Sequence, residues 1–183
     1  MRYPANRKAE TRQQLIEKAG ALAKKEGFAT TGVDGLMATV GLTGGAFYSH
    51  FESKNALLLE IVRRELAVSH KLLSQQLTDG QLEQFLALYL SPIHVNFPEL
   101  GCALPSLTHE IARADAEIKG AFEQGIKKTQ AILSEQLGDD SAAWAMLAMA
   151  VGAVSLARAM HSPEAQNQLL TACQDFALKT TNK

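Results

Sequence analysis

Cysteine is scarce in this chain: Cys102 and Cys173 stand far apart and outside any CxxC or Cys/His cluster. That spacing excludes a disulfide framework and an ordinary zinc site. Proline is sparse too, with five residues in 183, while Ala, Leu, Glu, Gln and Lys are abundant, which favours helix. No run of eighteen apolar residues occurs, and the opening MRYPANRKAE has no apolar leader segment; a cytoplasmic chain with no membrane partner is expected. A Gly-rich phosphate loop, GxSxG, HExxH and a convincing carboxylate pair are all missing, so neither an enzyme, a cofactor nor a metal is expected. What is present is a hydrophobic fraction of 46% and a net charge of −1. Such a chain is globular and long enough to bury a core without staples.

The near-neutral total conceals an asymmetry. Residues 1–64 hold ten Lys/Arg against six Asp/Glu, and the remainder eight against thirteen. A basic first third on an acidic body suits a head that binds a polyanion. Apolar residues Leu15, Ile16, Ala19, Leu22 and Ala23 share one face of a helix over 7–27. Thr31-Gly-Val-Asp34 reads as a capping box opening a short helix with Leu36, Met37 and Val40 inward. Gly41 suits a sharp turn, Leu42 plugs it, and Thr43 caps a second short helix over 44–50 anchored by Phe47 and Phe51. Helix, three-residue turn and helix form the helix-turn-helix arrangement.

Ser53 caps a long helix running to about Leu77, roughly 35 Å at 1.5 Å per residue and long enough to join two domains; Leu57, Leu58, Ile61, Val62, Leu66, Leu72 and Leu73 serve its contacts, and Thr78-Asp-Gly breaks it. Further helices are expected over 80–91, 102–113, 115–137, 139–160 and 163–179. The two prolines of SPIHVNFPELG, residues 91–101, predict a loop. The fold class is therefore all-α, with a helix-turn-helix head at 1–52 and a helical bundle at 53–183. The segment AAWAMLAMAVGAVSLARAM, 142–160, is apolar nearly all round and needs cover on every side. It is read as one half of a homodimer interface through Ala145, Met149, Gly152 and Leu156, with Leu169, Leu170, Cys173 and Phe176 of the last helix; a central helix inside a monomer is the alternative.

The stretch GLTGGAFYSHFESK, residues 41–54, carries the functional signal. Gly44 and Gly45 cost a helix roughly 1 kcal/mol each, a loss that makes sense where backbone must approach another surface. With Gly27-Phe28, Thr31-Gly-Val, Leu36-Met-Ala, Gly41-Leu-Thr, Gly45-Ala-Phe-Tyr, Phe51 and Ser53-Lys-Asn-Ala-Leu, residues 11–61 resemble the DNA-binding domain of the TetR family of bacterial transcriptional regulators. Gly44 departs from that pattern, where a Lys is frequent. The resemblance implies a double-stranded DNA operator as partner, read by this second helix. Gly44 and Gly45 then give backbone proximity, Ala46 and Ser49 meet base edges, and Tyr48, His50 and Lys54 meet phosphates. Thr31 and Thr43 add phosphate contacts, and Arg2, Arg7, Lys8 and Arg12 form either a DNA-reaching arm or a solvated terminus.

The same resemblance implies that the body binds a small-molecule effector that releases DNA. Candidate pocket residues are Phe85, Tyr89, Phe97, Cys102, Leu107, His109, Glu110, Phe122, Ile126, Trp144 and Met149. Cys102 follows Gly101 at an expected helix start, where the dipole favours a thiolate, so a thiol-based electrophile or oxidant sensor is an alternative. A helical interaction protein that has lost DNA binding is a second.

Overall fold

The computed structural model describes residues 5–78 and 82–181, and among these there are nine α-helices, two 3-10 helices and no strand. Arg2 and the expected break at Asp79-Gly80 lie outside the described residues. Helix α1 (Ala5–Glu26) buries Leu15, Ile16, Ala19 and Ala23, and α2 (Val33–Ala38) buries Leu36 and Met37 beside it. Gly41 has φ of +72°, a conformation that costs other residues strain and lets the chain reverse within three residues. The second short helix, Gly44–Ser49, is a 3-10 helix pinned by the fully buried Phe47. Burying that ring supplies roughly 2–3 kcal/mol, enough to offset the glycines at its start.

Two capping expectations fail. Gly32, not Thr31, caps α2, and the Thr31 hydroxyl donates instead to the Gly27 carbonyl at 2.8 Å. Thr43 holds the cap position of the 3-10 helix, but its side chain accepts no hydrogen bond there. Ser53 does cap α3 (Lys54–Thr78), its hydroxyl accepting from Ala56 N–H at 3.0 Å.

The long α3 packs on α1 at its start and along α7 (Ala116–Leu137) over its length. Of the residues expected to serve the contacts of α3, Leu72 is exposed in the protomer. Helix α4 (Leu82–Tyr89) leads into residues 91–101, which hold two short helices rather than a loop: α5 (Pro92–Asn96) and a 3-10 turn, Pro98–Leu100. Each proline sits in the first turn of its helix, where the missing N–H has no intrahelical partner in any case. Helices α6 (Leu104–Ile111), α8 (Asp140–Ala159) and α9 (Pro163–Thr181) complete the body. One apolar cluster runs from Leu15 in the head to Ala177 in α9, so head and body are welded by shared core. A second, around Leu90, Val95, Val154 and Leu170, seals α4, α5, α8 and α9. By length and composition α8 is apolar enough to cross a membrane, yet its Ala143–Ala157 stripe is buried against its neighbours.

Candidate nucleic-acid interface and effector cavity

The helix-turn-helix offers one solvent-facing edge. Tyr48 is 71% exposed, its ring edge-on to Phe47 at 5.4 Å, so a buried aromatic props an exposed one outward. Gly45 and Ser49 are exposed on the same short helix and Thr43 at its cap, with the Ser49 hydroxyl donating to Ala46 O at 2.7 Å, while Ala46 is half-buried. The two glycines differ. A Cβ on Gly45 would meet open space, whereas one on Gly44 would lie 2.1 Å from Asp34 Oδ1. Gly44 is buried, and its lack of a side chain is explained by the approach of α2 rather than by any external surface.

Positive charge gathers beside this edge. Lys8 and Arg12 are helical, on α1, and close enough to His50 that, after burial itself, their charges hold its imidazole below the ordinary value. His50 Nδ1 is shut off from solvent without a hydrogen-bond partner. Arg12 lies over the Phe51 ring at 4.5 Å and 3.6 Å from Glu60. Lys54 is less free than expected: its ammonium donates to Ala29 O at 3.1 Å and sits over the Phe28 ring at 4.8 Å. Burial lowers its pKa, partly opposed by the charge of Glu110.

Glu110 proves to be a joint rather than a pocket residue. Its two carboxylate oxygens accept the backbone N–H groups of Phe28 and Ala29 at 2.8 and 2.9 Å, so α6 of the body grips the turn between α1 and α2. A second tie lies nearby. Lys24 pairs with Glu65 at 2.8 Å, both side chains almost fully buried, and also donates to Gly101 O at 2.9 Å. Arg64 reaches the other oxygen of Glu65 at 2.7 Å. Sequence reasoning missed this pair, although the signal was there: Lys24 and Glu65 fall on the inward faces of α1 and α3, eight residues after Ile16 and four after Ile61.

A cavity of about 530 Å³ opens between α3, α4, the 91–101 segment, α6 and α8. Of the eleven residues expected to contact an effector, Phe85, Tyr89, Phe97 and Cys102 line it. The other seven stand elsewhere. Leu107 is buried in the core, Phe122, Ile126 and Met149 are half-buried against it, Trp144 is exposed on α8, His109 is exposed, and Glu110 holds the head. Helix packing decides which apolar face meets the void, and composition alone does not carry that.

The polar end of the cavity is built around His94. Its Nε2 accepts from Cys102 N–H at 3.0 Å, which leaves Nδ1 to carry the proton and donate to Tyr89 O at 2.8 Å. Burial holds His94 neutral, and the charges of Arg158 and Lys24 push the same way. Arg158 donates to His94 O and to Ser106 Oγ, each at 2.8 Å. Burial drives the Tyr89 phenol well above its ordinary pKa, so its hydroxyl keeps its proton. Cys102 lies before α6, not in its first turn; Sγ accepts from Leu104 N–H at 3.5 Å and from Ser69 Oγ at 4.0 Å. Among the described residues no cluster of three or more His, Cys, Asp and Glu is placed to hold a metal ion.

On the far side of the body, Ala145, Gly152 and Leu156 of α8 and Leu169, Cys173 and Phe176 of α9 are exposed or half-buried, whereas Leu170 is inside the protomer core. Burial raises the Cys173 thiol pKa.

Known proteins share both sequence and fold. Residues 15–61 match the model for bacterial regulatory proteins of the tetR family. The HTH-type transcriptional repressor NemR of Escherichia coli (strain K12) is 27% identical over 70% of this chain and 67% of its own. The HTH-type transcriptional repressor DhaR of Mycobacterium sp. (strain GP1) is 24% identical over 93% of each. The crystal structure of reduced E. coli NemR superposes with a TM-score of 0.72 at 23% identity, covering 90% of this chain and 96% of that one. A TetR regulator from Chloroflexus aurantiacus J-10-FL gives 0.74 at 23% identity, covering 94% and 96%. With the helix-turn-helix and its exposed edge in place, these matches identify residues 15–61 as a TetR-family DNA-binding domain, in a chain that shares the fold of TetR-family transcriptional regulators along its length.

Proposed function

We propose that the protein is a homodimeric repressor whose two heads hold a palindromic operator until a small molecule fills the cavity of the body. The carrying observation is the joint between them: Glu110 stands six residues after the cavity residue Leu104 on α6 and grips the Phe28–Ala29 turn. A ligand that displaces Leu104 moves Glu110, and with it the turn that leads into α2. The ligand shifts the equilibrium only as far as it prefers the arrangement that cannot bind DNA. In this reading Thr43, Gly45, Ala46, Tyr48 and Ser49 form the reading edge. His50, Lys8 and Arg12 flank it, and Thr31 and Lys54 must leave their present partners to reach phosphate.

The test is fluorescence anisotropy on labelled duplexes from the flanking DNA of its own gene at two salt concentrations. Competitor-resistant binding that weakens steeply with salt is expected, because phosphate contacts release counterions. Tyr48→Phe should weaken all duplexes alike, by about 3- to 10-fold, and Ser49→Ala should change sequence preference. Weak, sequence-blind binding that neither substitution alters would reject the reading and leave an interaction protein without operator binding.

A second reading has its own support in Cys102, whose sulfur lines the cavity and accepts the first N–H of α6. Alkylation there would uncap α6 at the end opposite Glu110. Operator release by an electrophile that persists in Cys102→Ser would reject it.

A further inference from the structure

The walls of the cavity are mostly apolar, their four charged residues on α1 and α3 are paired with one another, and two further lining residues have unmet hydrogen bonds. Tyr89 and Glu99 both line the cavity, and the Tyr89 hydroxyl and Glu99 Oε2 are shut off from solvent with no partner of ordinary geometry. Cys102 sulfur lies beside the hydroxyl but is a weak acceptor. Buried donors and acceptors without partners are costly, so such a pair marks where another molecule's polar atoms belong. The rim of the cavity is unusual as well. Val68, Leu72, Leu88, Ile93, Phe97 and Leu100 line the cavity yet remain exposed, Leu100 by 82%. They form an apolar mouth, and a contiguous exposed apolar patch of this kind signals a binding surface.

Charge selects among possible head groups. Lys24, Arg64, Glu17 and Glu65 neutralise one another in the cavity wall. Glu99 is left with Arg158, which makes no ion pair among the described residues but feels the charge of Glu99. A cationic head would leave the Arg158 charge uncompensated, and an anionic head would face Glu99. A neutral head adds no charge to bury.

From these three observations we infer that the effector is a neutral amphiphile, its apolar body in the mouth and a single head group, a hydroxyl or primary amide, accepting from Tyr89 and donating to Glu99. This rests on the cavity being the effector site. The volume suits an apolar body of moderate size, since ligand pockets run from roughly 300 to 1,000 Å³.

Calorimetric titration of the full chain, without DNA, with octanol, methyl octyl ether, octylamine and octanoate tests it. Octanol should bind about 10-fold more tightly than the amine or the carboxylate, and about 3- to 10-fold more tightly than the ether, which accepts but cannot donate. Tyr89→Phe should weaken both octanol and the ether, whereas Glu99→Leu should weaken octanol alone. If either variant fails to fold, the ranking on the unaltered chain decides. Tightest binding by octylamine would overturn the inference in favour of a lipophilic cation, and tightest binding by octanoate in favour of an anion. Equal binding of all four would mean that only the apolar body is read, and no saturable binding would mean that the mouth is covered within the assembly; either overturns it. Parallel operator binding separates the two readings. Octanol that binds without releasing operator would reject induction through the cavity but leave the ligand class standing. Operator binding with no probe bound would do the reverse.

Discussion

His94 sits between a backbone donor and a backbone acceptor, and only the neutral Nδ1–H tautomer satisfies both. Protonating Nε2 would set it against Cys102 N–H, with the guanidinium of Arg158 and the ammonium of Lys24 nearby. The folded chain therefore binds this proton less readily than the unfolded chain, whose His titrates near 6.5. Stability from His94 is complete above that value and is lost as pH falls below it towards the folded pKa. Urea midpoints at about pH 8 and about pH 5 should separate more for the natural chain than for His94→Gln, in which an amide reproduces both bonds without titrating. His50 is depressed too but is common to both chains, so it cancels. Equal pH dependence would place the titration elsewhere. At this scale the sequence is legible for groups that act locally: Phe47, Phe51 and the Ser53 cap stand as expected. It is illegible for groups whose partners are distant in the chain. Glu110 looks like one carboxylate beside a histidine until the chain folds 82 residues back on itself to Phe28.

Elements were legible where periodicity is long. Helices α1, α3, α7, α8 and α9 fall within a few residues of expectation, because a helical pattern sustained over several turns between clear turn signals has no strand-like competitor. The 91–101 segment failed because a proline reads as a breaker unless its place in the helix is known, and both prolines here begin a helix. That error matters for function, since the segment supplies the cavity mouth and the Gly101 carbonyl held by Lys24. Helix α6 is the shorter lever: Leu104 on the cavity, Glu110 on the head. Glu110→Ala should leave operator affinity in the absence of effector within about 3-fold, and should cut the effector-induced change in that affinity by at least about 5-fold. Anisotropy with and without effector reads both. An unchanged effector response would mean that the shared core or the Lys24–Glu65 tie transmits the signal instead.

For the whole molecule, the outstanding question is what covers α8 and α9. Their inward faces are accounted for by the second core cluster. On their outward faces Leu156 is 58% exposed and Phe176 63%, with Gly152, Leu169 and Cys173 between them half-buried. Small residues beside large ones let another helix pair approach closely, and fully burying a Leu or Phe is worth roughly 1.5–3 kcal/mol. A two-fold pairing of α8 and α9 uses each such patch twice, once per protomer. Leu156→Glu would place a carboxylate at the centre of that contact. It should sediment as the 19.8 kDa protomer at a concentration where the natural chain sediments at twice that mass. Leu100→Glu, an equally apolar and more exposed site at the cavity mouth, should remain paired. Operator affinity should follow the pairing, because a lone head loses the effective concentration that a linked second head provides, on the order of 100-fold. If Leu156→Glu stays paired and binds operator normally, the protomers meet through another face, and α8 is covered only by its own chain.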